Sequence, residues 1–106
     1  MKKLLLKHGN QPQQVAWALE HEDPVVRMMA VDGFGERKEW KRWSHVVARR
    51  LNDDVWQVRL ATARALLAMN NKRSVEKLDA RARIEKNSLV KAALKTARDE
   101  IFISED

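Results

Sequence analysis

Leu51 to Met69 reads LNDDVWQVRLATARALLAM. The polar corner Asn52-Asp53-Asp54 opens an amphipathic helix, with Val58, Thr62, Leu66 and Met69 on one face at steps of three and four. The pair Val58-Arg59 inside that helix has two echoes. Val26-Arg27 lies 32 residues earlier and Val90-Lys91 lies 32 residues later. A fixed period of this size marks a stacked repeat, whose single units are too thin to bury a core alone.

Working outward, the rest of the chain divides at the same period. Upstream, Glu36 to Leu51 forms an amphipathic helix with Trp40, Trp43, Val47 and Leu51 inward and Lys38, Lys41, Arg42, His45 and Arg49 on the other face. Before it, Asp23 caps a helix that starts at Pro24, buries Val26, Ala30 and Phe34, and stops at Gly35. The first helix starts at Pro12 and ends near His21, with Val15, Ala18 and Leu19 inward. Lys2 to His8 is a short helical turn or a ragged arm, stopped at Gly9. Downstream, Asn70 to Arg73 reads as a loop and Ser74 as the cap of a fifth helix, with Val75, Leu78 and Ala82 inward. Ile84 is expected to take the core role that Arg83 vacates. Asn87-Ser88 opens the sixth helix, Leu89 to about Ile101, which buries Val90, Ala93, Leu94, Ala97 and Ile101. Phe102 to Asp106 is expected to fray. The reading is one all-α domain over residues 1–106, made of three antiparallel helical hairpins at about 11–35, 36–69 and 74–102.

Composition narrows the function. The absence of Cys excludes disulfides, thiolate metal sites and thiol nucleophiles. His8, His21 and His45 are scattered without metal-ligand spacing, so no metal or other cofactor is expected. Gly33-Phe34-Gly35 lacks the lysine and the long glycine pattern of a phosphate loop. Ser74 and Ser88 fit helix caps better than nucleophiles, so the chain is not expected to be an enzyme. The opening MKKLLLKHGN is basic like a signal peptide, but Leu4-Leu5-Leu6 is too short for its apolar stretch. No run approaches a membrane span, and a cytoplasmic location is expected. The net charge of +6 admits either nucleic acid or an acidic protein as partner, and also serves solubility.

At Asp23-Pro24-Val25-Val26-Arg27-Met28-Met29-Ala30 the chain resembles the HEAT-repeat signature: an Asp-containing turn, then Val-Arg, then a small residue. Asp54 to Thr62 repeats it and Asn87 to Leu94 repeats it weakly, with Asn87 for Asp and Lys91 for Arg. The likeness is to the short HEAT-like repeats of the phycobilisome-lyase type and covers nearly everything after Gly9. It implies a short right-handed alpha-alpha superhelix, with first helices convex and second helices concave. It also implies protein partners on the concave side. One branch of HEAT-like DNA glycosylases binds damaged DNA there. Such a branch would want a Trp and an acid in the groove; Trp56 and Asp32 are a thin match.

Three groups of residues are candidates for a role. Arg27, Arg59 and Lys91, with Asp23, Asp53 and Asp54 close by in sequence, read as a structural ladder tying repeats together. Lys38, Lys41, Arg42, His45 and Arg49 on the third helix, with Arg73, Lys77 and Arg81 one repeat on, form a convex basic band suited to nucleic acid. Trp56, Leu60, Arg64 and Leu67 share a face beside the buried stripe of the fourth helix. Together with Met28 and Asp32 they form an apolar centre with a charged rim, expected to bind a protein partner. The open solenoid ends invite a homodimer, chiefly at the C-terminal end.

Overall fold

The computed structural model describes residues 11–105, so the turn expected at Lys2–His8 and its stop at Gly9 lie outside the described residues. Among the described residues every regular element is helical. Helix α1 is Pro12–Ala16 and tightens into the 3-10 turn Trp17–Glu20. Helix α2 is Pro24–Gly35. The third helical stretch is composite: a 3-10 segment Lys38–Trp43, helix α3 at Ser44–Val47, and a 3-10 segment Ala48–Asn52. Helix α4 is Trp56–Met69. A 3-10 turn Lys72–Ser74 leads into α5, Val75–Ile84, and α6 is Ser88–Ile103.

The helix ends follow from local chemistry. The Asp23 carboxylate accepts the Val25 amide at 2.9 Å, with Pro24 in the first helical position. Asn87 does the same for α6, accepting from the amides of Leu89 and Val90. Asn70 closes α4 in the left-handed conformation, φ 53°, with its N–H on the carbonyls of Leu66 and Leu67. Two capping expectations are corrected. Ser74 is buried within the helical path, and Asn71 caps the fifth stretch instead, accepting from the Arg73 amide. Ser88 is the first helical residue after its Asn87 cap. The tail is helical further than expected, through Ile103, because Asn70 donates to the Ser104 hydroxyl and the Lys72 ammonium to the Ser104 carbonyl.

The 3-10 start of the third stretch has a packing reason. Three residues per turn aligns side chains three apart. Trp40 and Trp43 both meet the Phe34 ring, with centroids at 5.1 and 6.1 Å. Trp40 is buried and Trp43 half-buried, so both belong to the core.

Helices α2, α4 and α6 pack side by side as one layer; α1, the third stretch and α5 form the other. The result is a slab of 36 × 30 × 16 Å, three hairpins wide and two helices thick. The inward positions read from the sequence are filled as expected: Val26, Val58 and Val90 are buried, and so are Leu19, Phe34, Leu66, Leu78, Leu94 and Ile101. Each such side chain contributes about 1.5–3 kcal/mol on burial. Gly35 ends α2, but its more consequential feature is closeness. A Cβ there would lie 3.0 Å from the Ala65 Cα and 3.1 Å from its Cβ, so the missing side chain lets α2 and α4 touch backbone to backbone.

The third hairpin departs from the first two on its outer side. Val31 and Ala63 are fully buried, and 32 residues on stands the exposed Lys95. Phe34 and Leu66 are fully buried, and the next repeat position holds Arg98, paired with Asp79 and Asp99 at 2.8 Å each. Leu51 is buried where Arg83 is exposed and paired with Asp79. Ile84 does not replace it: Ile84 is 63% exposed. The chain leaves the helix at Glu85, in extended conformation, and Glu85 turns inward instead.

Candidate functional site

The arginine row sits between hairpins. Arg27 grips Asp53 through both forks, Nε to Oδ2 at 2.8 Å and Nη2 to Oδ1 at 3.0 Å. Its remaining Nη1 donates to the carbonyls of His21 and Glu22, and Asp54 adds a longer contact at 3.4 Å. Arg59 repeats the arrangement one unit later, with Nε on Glu85 Oε1 at 2.8 Å, Nη2 on Oε2 at 3.0 Å and Nη1 on the Asp53 carbonyl. The two acids are fixed alike: Asp53 accepts the Val55 amide and Glu85 the Asn87 amide, each two residues on. Arg50 and Arg81 flank them at 3.2 Å. Burial pushes the Asp53 carboxyl up, but the Arg27 hydrogen bond, the Val55 amide and the Arg50 charge outweigh it and hold it below the usual range. Glu85 is held low in the same way, burial being outweighed by Arg59, the Asn87 amide and Arg81. The hydrogen bonds that Arg27 donates to Asp53 hold its guanidinium above its ordinary value.

Of the ladder residues read from the sequence, Asp23 caps α2, and its charge favours the Arg27 cation. Asp54 is exposed and secondary to Asp53. Lys91 has no ion pair among the described residues. Glu85 was missed, although the period points to it: 53 plus 32 is 85. The same arithmetic places His21 at the acid position of the first unit, and His21 Nδ1 accepts the Asp23 amide, as Asp53 and Glu85 accept theirs.

The face of α2 and α4 that points away from the other layer carries the second group. Trp56 is 37% exposed, Arg64 and Asp32 are exposed, and Met28 and Leu67 are half-buried. Leu60 is a correction: it is 9% exposed and part of the core. Asp32 and Arg64 are close enough to feel each other's charge. Although Asp32 is exposed, its carboxyl is partly desolvated; this and the nearby Glu36 raise it above the usual range, and Arg64 only partly offsets them.

The third group lines the opposite layer. Lys41, Arg42, His45 and Lys77, joined by Arg73, border a cavity of about 600 Å³ between the third stretch and α5. A neighbouring cavity of about 340 Å³, bordered by Arg49 and Arg81, shares Ala48 and Lys77 with the first. Arg81 is a correction: half-buried, it donates to Glu85 and to Asn52, so it belongs to the ladder more than to the basic band. Among the described residues there is no group of three His, Asp or Glu that could hold a metal ion, and no helix long and apolar enough to cross a membrane.

Comparison with known proteins adds one match. The family described as HEAT repeats matches residues 12–97. No curated protein matches the chain.

Proposed function

We propose that this chain, which belongs to the HEAT-repeat family, is a binding module that takes a protein partner on the outer face of α2, α4 and α6. Proteins of this family generally mediate protein–protein interaction. We assign the unit to the short phycobilisome-lyase-type repeats on its Asp turn and Val-Arg pair, and read the action as that of an adaptor, scaffold or inhibitor rather than of an enzyme.

The observation that carries the reading is Trp56. It is a large aromatic left 37% exposed at the start of α4, and the helical steps Trp56, Leu60, Arg64 place an arginine on the same side. Trp and Arg are the side chains that most often anchor an interface. Half-buried Met28 and Leu67 widen the apolar centre, and Asp32 and Arg64 supply a rim of both signs. Leu60 lies beneath as support.

The test uses the full chain as bait in a nuclease-treated lysate, with captured proteins identified by mass spectrometry. Trp56→Ala and Arg64→Glu should keep the helical circular dichroism of the parent and lose the specific protein that the parent retains. Undiminished capture by both variants would remove this face as the site.

A further inference from the structure

We propose that the groove between the third helical stretch and α5, on the layer opposite the protein-binding face, binds a single strand of nucleic acid by its phosphates. The groove has a shape as well as a charge. It holds about 600 Å³ and continues past Lys77 and Ala48 into about 340 Å³ more, so it suits an extended ligand rather than a compact one. Its first part is bordered by Lys41, Arg42, His45, Arg73 and Lys77, against the single acid Glu39.

The cations stand in order. Lys41 faces Arg73 one repeat on, and His45 faces Lys77, because each pair is 32 residues apart on neighbouring first helices. The two rungs lie four residues apart along a path that is part 3-10 and part α, about 6–8 Å at 1.5–2.0 Å per residue. The permanent charges, Lys41 and Arg42 on one wall and Arg73 and Lys77 on the other, are spread along the groove, as a strand that carries one charge per nucleotide requires, and His45 adds a polar ring between them. None of the four long cations among these residues has an ion-pair partner among the described residues, whereas Arg27, Arg59, Arg81 and Arg98 are all engaged elsewhere. His45 Nδ1 donates to the Arg42 carbonyl, which turns the other ring nitrogen away from that carbonyl.

The same geometry says what the groove does not read. The two tryptophans nearest in sequence are committed to Phe34, Trp40 wholly and Trp43 in part, so no stacking platform lines the cations. Binding is therefore through the backbone, insensitive to sequence and steeply weakened by salt. A duplex is disfavoured because the groove is only one inter-helix gap wide.

The experiment is fluorescence anisotropy of the full chain with a labelled oligothymidylate, over a range of salt. Two charge-matched triple variants are compared: Arg42→Gln, Arg73→Gln, Lys77→Gln in the groove, and Lys86→Gln, Lys91→Gln, Lys95→Gln away from it. The groove variant should bind at least about tenfold more weakly, and its slope of log K against log salt should fall by about 2, at about 0.7 per phosphate contact on a single strand. The control variant should keep most of the affinity, and both should keep the parent's helicity. Equal losses in the two variants would reduce the effect to net charge and overturn the proposal. So would tighter binding of a duplex, displacement of the oligonucleotide by polyglutamate at equal charge, or no binding at low salt.

Discussion

Arg59 reaches across 26 residues to Glu85 with the same two-pronged grip that Arg27 uses on Asp53, also 26 residues away. Both distances, 2.8 and 3.0 Å, recur in both pairs. The carboxylates are buried and the guanidinium groups nearly so. Pairs of this kind contribute little net energy when intact, but losing one partner strands the other in the interior.

Arg59→Ala should therefore cost about 3 kcal/mol of stability, at the low end for a broken buried pair because Arg81 still serves Glu85. Urea denaturation of Arg59→Ala, Glu85→Gln and the double variant measures it. The double variant should be clearly more stable than the sum of the two losses implies. An unchanged midpoint for Arg59→Ala would mean that the hairpins are held by packing alone.

Acid should loosen the stack in a defined direction. Asp53 and Glu85 are both held below their unfolded values, so each contributes stability that is complete above about pH 4 and drains away as the pH falls through the lower folded value. Thermal melts from pH 6 down to pH 2 should show a steep decline in the parent. A Glu85→Gln variant should start less stable and decline less. A parallel decline in both would locate the acid sensitivity elsewhere.

Two glycines in one helix should respond with opposite signs. Gly35→Ala drives a methyl group to within 3.0 Å of the Ala65 backbone and should lower stability by about 1–3 kcal/mol, as overpacking does. Gly33→Ala places its methyl 4.0 Å from Val15 Cγ1, an ordinary contact, and should gain up to about 1 kcal/mol from helix propensity. Differential scanning calorimetry on the two variants decides it. A stabilised Gly35→Ala would show that α2 and α4 have room to separate.

Asp32 should prove to be a residue that the fold carries at a cost. Its carboxyl, exposed but partly desolvated, is raised by that desolvation and by Glu36, so its ionised form opposes folding weakly, screened by solvent, above the unfolded value, and lowering the pH relieves this. Asp32→Asn should raise the melting temperature at pH 7. The gain should vanish near pH 4, where the parent is partly protonated. A lower melting temperature at pH 7 would make Arg64 the dominant neighbour.

The period and the core were legible because both rest on helical spacing. Val26, Val58 and Val90 recur at one interval and are all buried. The two tryptophans and the caps Asp23 and Asn87 follow from rules that act within one or two turns. What escaped were choices made between hairpins. Leu60 and Met28 hold the same repeat position, yet one is core and the other half-buried, because burial depends on the surrounding repeats and not on position in the unit. The third helical stretch carries a regular helical pattern, and only the Phe34 contact reveals why it winds more tightly. Glu85 escaped for a different reason: the acid position holds His, Asp and Glu in turn, so a search by residue type passes over what a search by position finds.

In the terms of polymer chemistry, the middle hairpin is a bifunctional monomer. It offers an acid, Asp53, to the unit before it and an arginine, Arg59, to the unit after it. The first hairpin offers only an arginine, since His21 fills its acid position; the third offers only an acid, since Lys91 fills its arginine position. Both are end groups. A longer array is therefore grown by copying the middle unit alone, each copy closing a new pair with its neighbour. By the same period, joining whole chains head to tail would bring Lys91 to the position of His21 and close no pair of this kind.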